Sequence, residues 1–287
     1  MGPSTVRLPA IYVNHGGGPM PLIGQQPSVA RFLSSYAATL PSTPAAVLVA
    51  TAHWEEAVTT VSGAASHRLL FDYGGFPPET YAYTYPAPGS PAIAKRVCQL
   101  LSAARLPNAI DERRGWDHGV FVPMMLMFPS GSVPIVQLSL TSSQDAATHL
   151  AVGAALRPLR DEGVLIVGSG VSFHNFSHFF ASDRAKRDAG VAHSRAFDAW
   201  LTATMTDPAL SHADRIARLA QWDHLAPSAR EAHPPGAAEH LLPALVVAGA
   251  AGDDGPATKV GSGKASPVEA ESELLGGFAF SQFEFRS

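Results

Sequence analysis

Cysteine is nearly absent from this chain, and its single residue, Cys98, limits the kinds of site that the chain can build. One cysteine cannot form a disulfide within the chain, and one protomer cannot build a cysteine-based zinc or iron–sulfur site. Any metal ion that a protomer binds is therefore held by histidine, aspartate or glutamate side chains.

Charged residues are also scarce, at 15% of 287 residues with a formal net charge of −4, and lysine and arginine form no run. Phosphate backbones are bound by clustered basic residues, so nucleic acid is not an expected partner. No apolar stretch approaches the roughly 20 residues of a membrane-spanning helix. The start of the sequence lacks the charged and apolar segments of a signal peptide. We therefore expect a cytoplasmic protein that binds neither membrane nor nucleic acid.

The 46% of residues that are hydrophobic suffice for a buried core, and they fall in alternating strand and helix patterns. Short apolar runs predict strands at residues 9–14, 45–52, 133–140 and 163–167. Helical spacing and proline or glycine stop signals predict helices at 28–40, 90–104, 145–160, 185–204 and 243–251. This order predicts the α/β class: a single domain over residues 1–287, with a central, mostly parallel mixed sheet flanked by helices.

Three segments depart from this alternation. Residues 66–90 are dense in glycine, proline and tyrosine and predict a long ordered loop, in which 72–88 is a candidate for shaping substrate preference or a purely structural loop. Residues 252–267 predict a polar loop. Residues 278–285 alternate phenylalanine with smaller or polar residues, which predicts an edge strand that belongs to the core or to a dimer interface, with the core preferred.

Histidines follow several of these elements. His15 and His53 end the first two predicted strands, and His174 comes after the Gly168-Ser169-Gly170 turn that ends another. His118 lies in Trp116-Asp117-His118-Gly119, interpreted as a glycine-flanked turn in which the aspartate orients the imidazole. Because ligands of open α/β sheets bind at the carboxyl ends of the strands, these side chains are expected to converge on one crevice. Neutral imidazole is a common metal ligand, so the crevice is a candidate metal site.

The segment before the last predicted helix adds His233, Glu239 and His240 as candidate ligands. Glu55 and Glu56 are interpreted equally as acceptors for an imidazole N–H or as a surface acidic pair. The other histidines are interpreted as surface or hydrogen-bonded core residues: His67, His149, His178, His193, His212 and His224. Ser169 lacks the Gly-x-Ser-x-Gly spacing of a nucleophile elbow, and glycine motifs for nucleotides are absent, which disfavours a serine hydrolase and a nucleotide-dependent enzyme.

Seven ordered motifs together resemble the class III extradiol ring-cleaving dioxygenases, in the DODA-type (4,5-DOPA dioxygenase-like) branch of the LigB superfamily. They are Asn14-His15-Gly16-Gly17-Gly18-Pro19, Thr51-Ala52-His53-Trp54, Asp72-Tyr73-Gly74-Gly75-Phe76-Pro77, Tyr85-Pro86-Ala87-Pro88-Gly89, Trp116-Asp117-His118-Gly119, Gln137-Leu138-Ser139 and Glu239-His240-Leu241-Leu242-Pro243. The resemblance spans almost the whole chain. It implies a non-haem Fe(II) enzyme, often recovered with zinc, that opens a catecholic ring with O2 to a muconic semialdehyde-type product.

The resemblance also implies roles for individual residues. By position, His15, His53 and His240 are expected to be metal ligands, and His118 is expected to handle protons. His174 is expected beside the metal, either as a ligand or as an acid/base residue. Glu239 and His233 stay open as replacements for His240, because Gly236-Ala237-Ala238 lengthens the loop after His233 relative to the family pattern.

Two further interpretations of the same residues stay open. A zinc-dependent hydrolase would use an equivalent histidine site to activate water, and an inactive homologue would bind metal without turnover. The expected partners are a small catechol and O2. The identity of the catechol, the ring bond cleaved, the native metal and the oligomeric state, including a homo-oligomer, are left open.

Overall fold

The apolar runs of the sequence form the strands of one sheet in the computed structural model, which describes residues 6–261 and 277–286. The strands are β1 (Ala10–Asn14), β2 (Ala46–Glu56), β3 (Thr59–Ser62), β4 (Asn108–Asp111), β5 (Ile135–Thr141), β6 (Val164–Gly170), β7 (Thr258–Val260) and β8 (Gln282–Phe285). All residues of β1, β5 and β6 are buried, as expected of strands that are covered on both faces.

The helices cover both faces of this sheet. They are α1 (Pro27–Tyr36), α2 (Pro91–Ala103), α3 (His118–Met127), α4 (Ala146–Leu156), α5 (Pro158–Asp161), α6 (Phe176–Phe179), α7 (Arg184–Thr206), α8 (His212–Ala220), α9 (Trp222–Leu225), α10 (Ala229–Ala232) and α11 (Leu242–Ala251), with 3-10 turns at Ala37–Thr39 and Pro78–Tyr81. No helix within the described residues is both long enough and apolar enough to cross a bilayer.

The strand order is β4-β3-β5-β2-β6-β1-β8-β7. The four central strands β5, β2, β6 and β1 run parallel to one another, whereas the pairs β3–β5, β1–β8 and β8–β7 are antiparallel. The chain is thus α/β, a single domain with a mixed sheet between helices, as the sequence predicts. The carboxyl ends of β1, β2 and β6 lie side by side, which is where a parallel sheet forms its ligand crevice.

Helices α4 and α11 pack closely on one face of the sheet. A Cβ atom on Gly153 would lie 2.0 Å from the carbonyl oxygen of Val246, and one on Gly249 would lie 2.1 Å from that of Leu150. Side chains at these two positions would force the helices apart. Because α11 begins directly after His240, this packing also fixes the backbone that delivers His240 to the crevice.

Two predictions for the C-terminal part of the chain were wrong, one on the position of a strand and one on a loop. Residues 278–285 form a strand only at Gln282–Phe285, and this strand lies between β1 and β7 instead of at the edge. The preference for the core is confirmed, because all four residues of the strand are buried. Its polar residues are buried with partners: the backbone N–H of Asn14 donates to Gln282, and Tyr36 donates to Glu284. The edge strand on this side of the sheet, β7, comes from the predicted loop 252–267, of which residues 262–267 lie outside the described part of the chain.

The other boundary differences are smaller. His118 does not lie in a turn but begins α3, and the predicted helix 145–160 divides at Arg157 into α4 and α5. The short strands β3 and β4 were not predicted. The long loop 66–90 is present and contains the 3-10 turn Pro78–Tyr81.

Candidate active site

Five histidines meet at the carboxyl edge of the central strands. His15 follows β1, His53 lies near the end of β2, His118 begins α3, His174 follows β6 and His240 precedes α11. The pairing of β2 with β5 shifts register between Ala50 and Glu55, so His53 lies in an irregular part of its strand. Such irregularities turn a side chain away from the regular alternation of the strand. The predicted convergence of these residues on one crevice is therefore what the structure shows.

Three of the five, His15, His53 and His240, offer one group of donor atoms. The Nε2 atoms of His15 and His53 are 3.2 Å apart. The ring of His240 lies 5.2 Å from that of His15 and 4.9 Å from that of His53, measured between centroids. One nitrogen from each of the three rings lies within 4.8 Å of the other two. This spacing allows one metal ion to contact all three.

The orientation of His15 is set by Ser169 on β6. The Ser169 hydroxyl donates its proton to the carbonyl oxygen of Gly119, so it can only accept from the imidazole Nδ1 of His15, 2.9 Å away. The proton of neutral His15 is thereby placed on Nδ1. Its Nε2 lone pair faces His53, as a metal ligand requires.

The backbone of His240 is held by two residues of the sheet. Tyr12 of β1 donates its hydroxyl proton to the carbonyl oxygen of His240 at 2.9 Å. A Cβ atom on Gly170 would lie 2.1 Å from the same oxygen, so only glycine permits this approach. Within the described residues the buried Nδ1 of His240 has no hydrogen-bond partner. A buried, unpaired imidazole nitrogen beside two other imidazoles is an atom that a metal ion would satisfy.

His118 is held by a carboxylate from the long loop. Asp72 Oδ1 accepts from the backbone N–H of His118 at 2.9 Å and from its Nδ1 at 2.8 Å. The other carboxylate oxygen lies 3.6 Å from Nδ1 of His53. Burial alone would raise the pKa of Asp72, but the hydrogen bond from His118 and the nearby imidazoles outweigh it and lower that pKa. An ionised Asp72 leaves Nε2 of neutral His118 free to take a proton.

His174 and Glu239 form the other side of the cluster. The ring of His174 stacks on that of His240 with 3.5 Å between centroids, and its Nδ1 lies 3.4 Å from Glu239 Oε1. The same carboxylate oxygen is 4.0 Å from Nε2 of His240. His174, Glu239 and His240 thus form another group of donor atoms, which shares only His240 with the first group. His53, Asp72 and His118 form a third such group, which shares only His53 with the first.

Burial keeps the three central histidines neutral. Loss of solvent, with smaller contributions from the neighbouring imidazoles, lowers the pKa of His15 and that of His240 well below the ordinary value. The same causes lower the pKa of His53 to about 3. Neutral imidazoles are the form that binds a metal, so this site needs no deprotonation near neutral pH.

A second hydrogen-bond network holds the backbone of His53 and the residues next to it. Arg114 donates to the backbone oxygen of His53 at 2.7 Å. Asp117, which has no exposed surface, accepts from Thr51 at 2.8 Å and from Gln137 at 2.6 Å. Burial, and secondarily the charge of Asp72, raises the pKa of Asp117 to about 6. Asp117 therefore orients the start of α3 and the end of β2, although it does not touch an imidazole through a hydrogen bond.

A cavity of about 650 Å³ opens in front of the cluster. All five histidines line it, together with Asp72 and Glu239 and with glycines of the segment after β1. The rest of the wall is largely apolar and aromatic. This volume lies within the range of pockets that bind small organic molecules.

Other predicted candidates lie elsewhere. His233 is buried and bonds through Nε2 to the carbonyl oxygen of Ser172, and it does not line the cavity. Glu55 and Glu56 are exposed and accept from Gln144 and Trp54, so the surface interpretation is correct for this pair. None of the six histidines interpreted as surface or core residues lines the cavity.

Sequence reasoning missed the supporting residues Asp72, Ser169, Tyr12 and Arg114. In the sequence, Asp72 stands out only as part of the motif Asp72-Tyr73-Gly74-Gly75, and Ser169 only as a candidate nucleophile. The signal that was present was their position: Ser169 lies at the carboxyl end of a central strand, and Asp72 lies in a loop of unusual length.

The fold and the cavity define a class, namely an α/β enzyme with a polyhistidine site at the carboxyl ends of its parallel strands. The chain belongs to the family of the catalytic LigB subunit of aromatic ring-opening dioxygenases, whose family model matches residues 7–270. As a member of the DODA type it is an extradiol dioxygenase. The family implies a metal cofactor, a small-molecule substrate and O2.

Individual relatives agree with this membership. The chain is 40% identical over 259 residues to "Dioxygenase tasH" of Hapsidospora irregularis, covering 86% of this chain and 79% of the relative. It is 36% identical over 249 residues to the 4,5-DOPA dioxygenase extradiol of Beta vulgaris, covering 86% and 88%. A crystal structure of an uncharacterised Escherichia coli K12 protein superposes with a TM-score of 0.66 at 27% identity, covering 98% of this chain and 100% of that chain.

Proposed function

We propose that this protein is a non-haem Fe(II) dioxygenase that opens a catecholic ring with O2 to a muconic semialdehyde-type product. The observation that carries the proposal is the convergence of three neutral imidazole groups at the base of a cavity that has room for an aromatic ring. In the proposed reaction one ring C–C bond beside a hydroxyl-bearing carbon breaks, and both atoms of O2 enter the product.

The proposed ligands are His15, His53 and His240. Their donor atoms form one group, two of the rings have their Nε2 atoms facing each other, and the third has a buried unpaired nitrogen. A nitrogen donor set suits Fe(II) and also zinc. When bound, the metal supplies the positive charge and the open positions at which a catechol and O2 are brought together.

His118 is the proposed base and acid. Its Nδ1 proton is held by Asp72, so Nε2 is free to accept a proton from a catechol hydroxyl and to return it to an oxygen atom of the ring-opened product. The ionised Asp72 stabilises the imidazolium that forms in between. His53 and His118 have ring centroids only 3.8 Å apart, which places this proton relay directly beside the ligand group.

His174 is proposed as a second acid/base residue, not as a ligand. Its donor atoms do not belong to the group of His15 and His53, and its Nδ1 faces Glu239. It stacks on one side of the His240 ring and also lines the cavity. Glu239 would then orient His174 in the way that Asp72 orients His118.

The test uses protein purified without oxygen and loaded with Fe(II). DOPA, protocatechuate and simple catechols are added in turn while O2 uptake and the yellow absorbance of the ring-opened product are followed. We expect one O2 to be consumed for each molecule of yellow product formed, and we expect neither O2 uptake nor product with the zinc-loaded protein. If the iron-loaded protein is silent with every catechol, the proposal fails, and binding of metal without turnover would then indicate an inactive homologue.

A further inference from the structure

The outer half of the cavity carries a cluster of phenylalanines. We call this the phenylalanine rim, and it consists of Phe176, Phe179, Phe180 and Phe280, all of which line the cavity. The ring centroids of Phe176 and Phe180 are 5.6 Å apart, and Phe179 lies 6.2 Å from Phe176 and 6.1 Å from Phe280. These are the spacings of aromatic rings in contact.

Two members of the rim are unusually exposed. Phe176 has 60% of its surface accessible and Phe180 has 65%, although both are large apolar residues. Leaving so much contiguous apolar surface in water costs free energy, and such surfaces mark places that an apolar ligand covers. Here the surface faces a concave cavity, so a molecule that enters the cavity would cover it.

The rim is continuous with the histidine cluster. Phe176 lies 4.6 Å from His174 between ring centroids, and His174 in turn stacks on His240. Tyr73 and Phe76 also line the cavity, with centroids 5.5 Å apart, and Tyr73 approaches His118 at 5.9 Å. A group attached to a ring that is bound at the histidines would therefore meet aromatic side chains next to His174 and next to His118.

Charge in the cavity points the same way. No lysine or arginine lines it within the part of the chain that the structure describes, and its only carboxylates are Asp72 and Glu239. The remaining polar wall residues beyond the histidines are neutral, namely the amides Asn14, Gln25 and Gln26 and the phenol Tyr73. A carboxylate on the substrate would thus enter a partly desolvated space without a cationic partner, which is unfavourable.

We infer that the preferred substrate is a catechol that carries a bulky apolar substituent, bound against the phenylalanine rim, instead of a catechol with an amino-acid or carboxylate side chain. The inference rests on the proposed ring-opening function and names its substrate class. The volume of about 650 Å³ agrees with it, because that space is much larger than a bare catechol ring needs.

The test is a series of 4-alkylcatechols from methyl to hexyl, with DOPA, dopamine and protocatechuate as charged comparators. Affinity is measured by calorimetry on zinc-loaded protein, which binds without turnover, and kcat/KM on iron-loaded protein. We expect binding to tighten by about two- to fourfold for each added methylene, the usual gain for apolar burial. We expect the longer alkylcatechols to exceed all three comparators by at least about tenfold on the same scale.

Two variants connect the effect to the rim. In Phe180→Ser the gain in binding affinity per methylene should fall below about half of that in the unaltered protein, because the variant removes apolar surface from the phenylalanine rim. Leu225→Ser is the matched control, since Leu225 is 48% exposed on α9 and does not line the cavity, and it should leave the series unchanged. Both variants alter an exposed side chain, so neither is expected to prevent folding.

The outcomes separate the two proposals. A flat alkyl series, or tighter binding of DOPA, dopamine or protocatechuate, overturns the inference even if every catechol is cleaved. A rising alkyl series on the zinc-loaded protein supports it even if the iron-loaded protein opens no ring, in which case the proposed function alone fails. If the gain in affinity per methylene falls in Leu225→Ser as much as in Phe180→Ser, the role of the rim would also be overturned.

Discussion

Replacing Ser169 with alanine should weaken metal binding although Ser169 is not a ligand. Its hydroxyl donates to the carbonyl oxygen of Gly119 and accepts from Nδ1 of His15, so it selects the tautomer in which Nε2 of His15 can bind a metal. In Ser169→Ala the Nδ1–H of a fully buried imidazole loses its acceptor. The ring is then free to rotate or to change tautomer.

The expected size follows from two contributions. Removal of a residue that orients a metal-binding histidine lowers metal affinity by about 10- to 100-fold, or about 1.4 to 2.7 kcal/mol. The unpaired buried N–H also destabilises the metal-free fold by about 1 to 3 kcal/mol. The first effect is seen in binding and the second in unfolding, so the two can be measured separately.

The assay is competition of Zn²⁺ and Fe(II) against a calibrated chelator, paired with urea unfolding of the metal-free protein. Ser139→Ala is the matched control, because the Ser139 hydroxyl is equally buried and accepts from the backbone N–H of Thr60 at 2.8 Å without touching a histidine. It should lose stability but keep its metal affinity. If Ser169→Ala binds metal as tightly as the unaltered protein, the argument from the His15 tautomer is wrong.

Three further predictions concern other parts of the site. His118→Phe should keep its metal content and lose about 10²- to 10⁴-fold in kcat, as expected for removal of an acid/base group; metal loss would instead identify His118 as a ligand. Tyr12→Phe should cost about 1 to 3 kcal/mol in urea unfolding and loosen metal binding, because the carbonyl oxygen of His240 loses a buried donor; unchanged values in both assays would contradict this. Burial lowers the pKa of His233 from 6.5 to about 4, so the folded protein binds fewer protons than the unfolded chain between these values. The metal-free protein should therefore lose about 3 kcal/mol relative to His233→Gln as pH falls from 7 to below 4, whereas a difference independent of pH would refute the assignment.

The central strands and their histidines were predictable because both depend on local sequence. Buried parallel strands appear as short apolar runs, and His15 and His53 stand at or near the ends of two such runs. The rule that parallel strands gather ligands at their carboxyl ends then brings separate histidines together without any knowledge of tertiary contacts. Fold class and histidine convergence therefore followed from pattern alone.

Helix α3 and strand β8 were mispredicted because their sequences give misleading local signals. Helix α3 is apolar on all sides and contains Pro123, so it has no amphipathic spacing to detect. Strand β8 alternates as an exposed edge would, yet Gln282 and Glu284 are buried because each has a specific polar partner. Burial of this kind depends on residues far away in the chain.

The residues that orient the histidines could not be predicted from local sequence either, because they too come from distant positions in the chain. Ser169 meets His15 across 154 positions of sequence, and Tyr12 meets His240 across 228. Asp72 reaches His118 from a loop whose path no periodicity describes. The identity of a metal ligand can be suggested by its neighbours in sequence, whereas the residues that orient it are fixed by packing.

The most direct test of the account is one turnover of the iron-loaded protein under ¹⁸O2 with a catechol that it accepts. The product is trapped with borohydride before its aldehyde exchanges oxygen with water, and its mass is then measured. The account predicts that a ring-opened product carries both labelled atoms and forms only when His15, His53 and His240 are intact. A product with one label or none, or equal labelling after loss of these histidines, would contradict it.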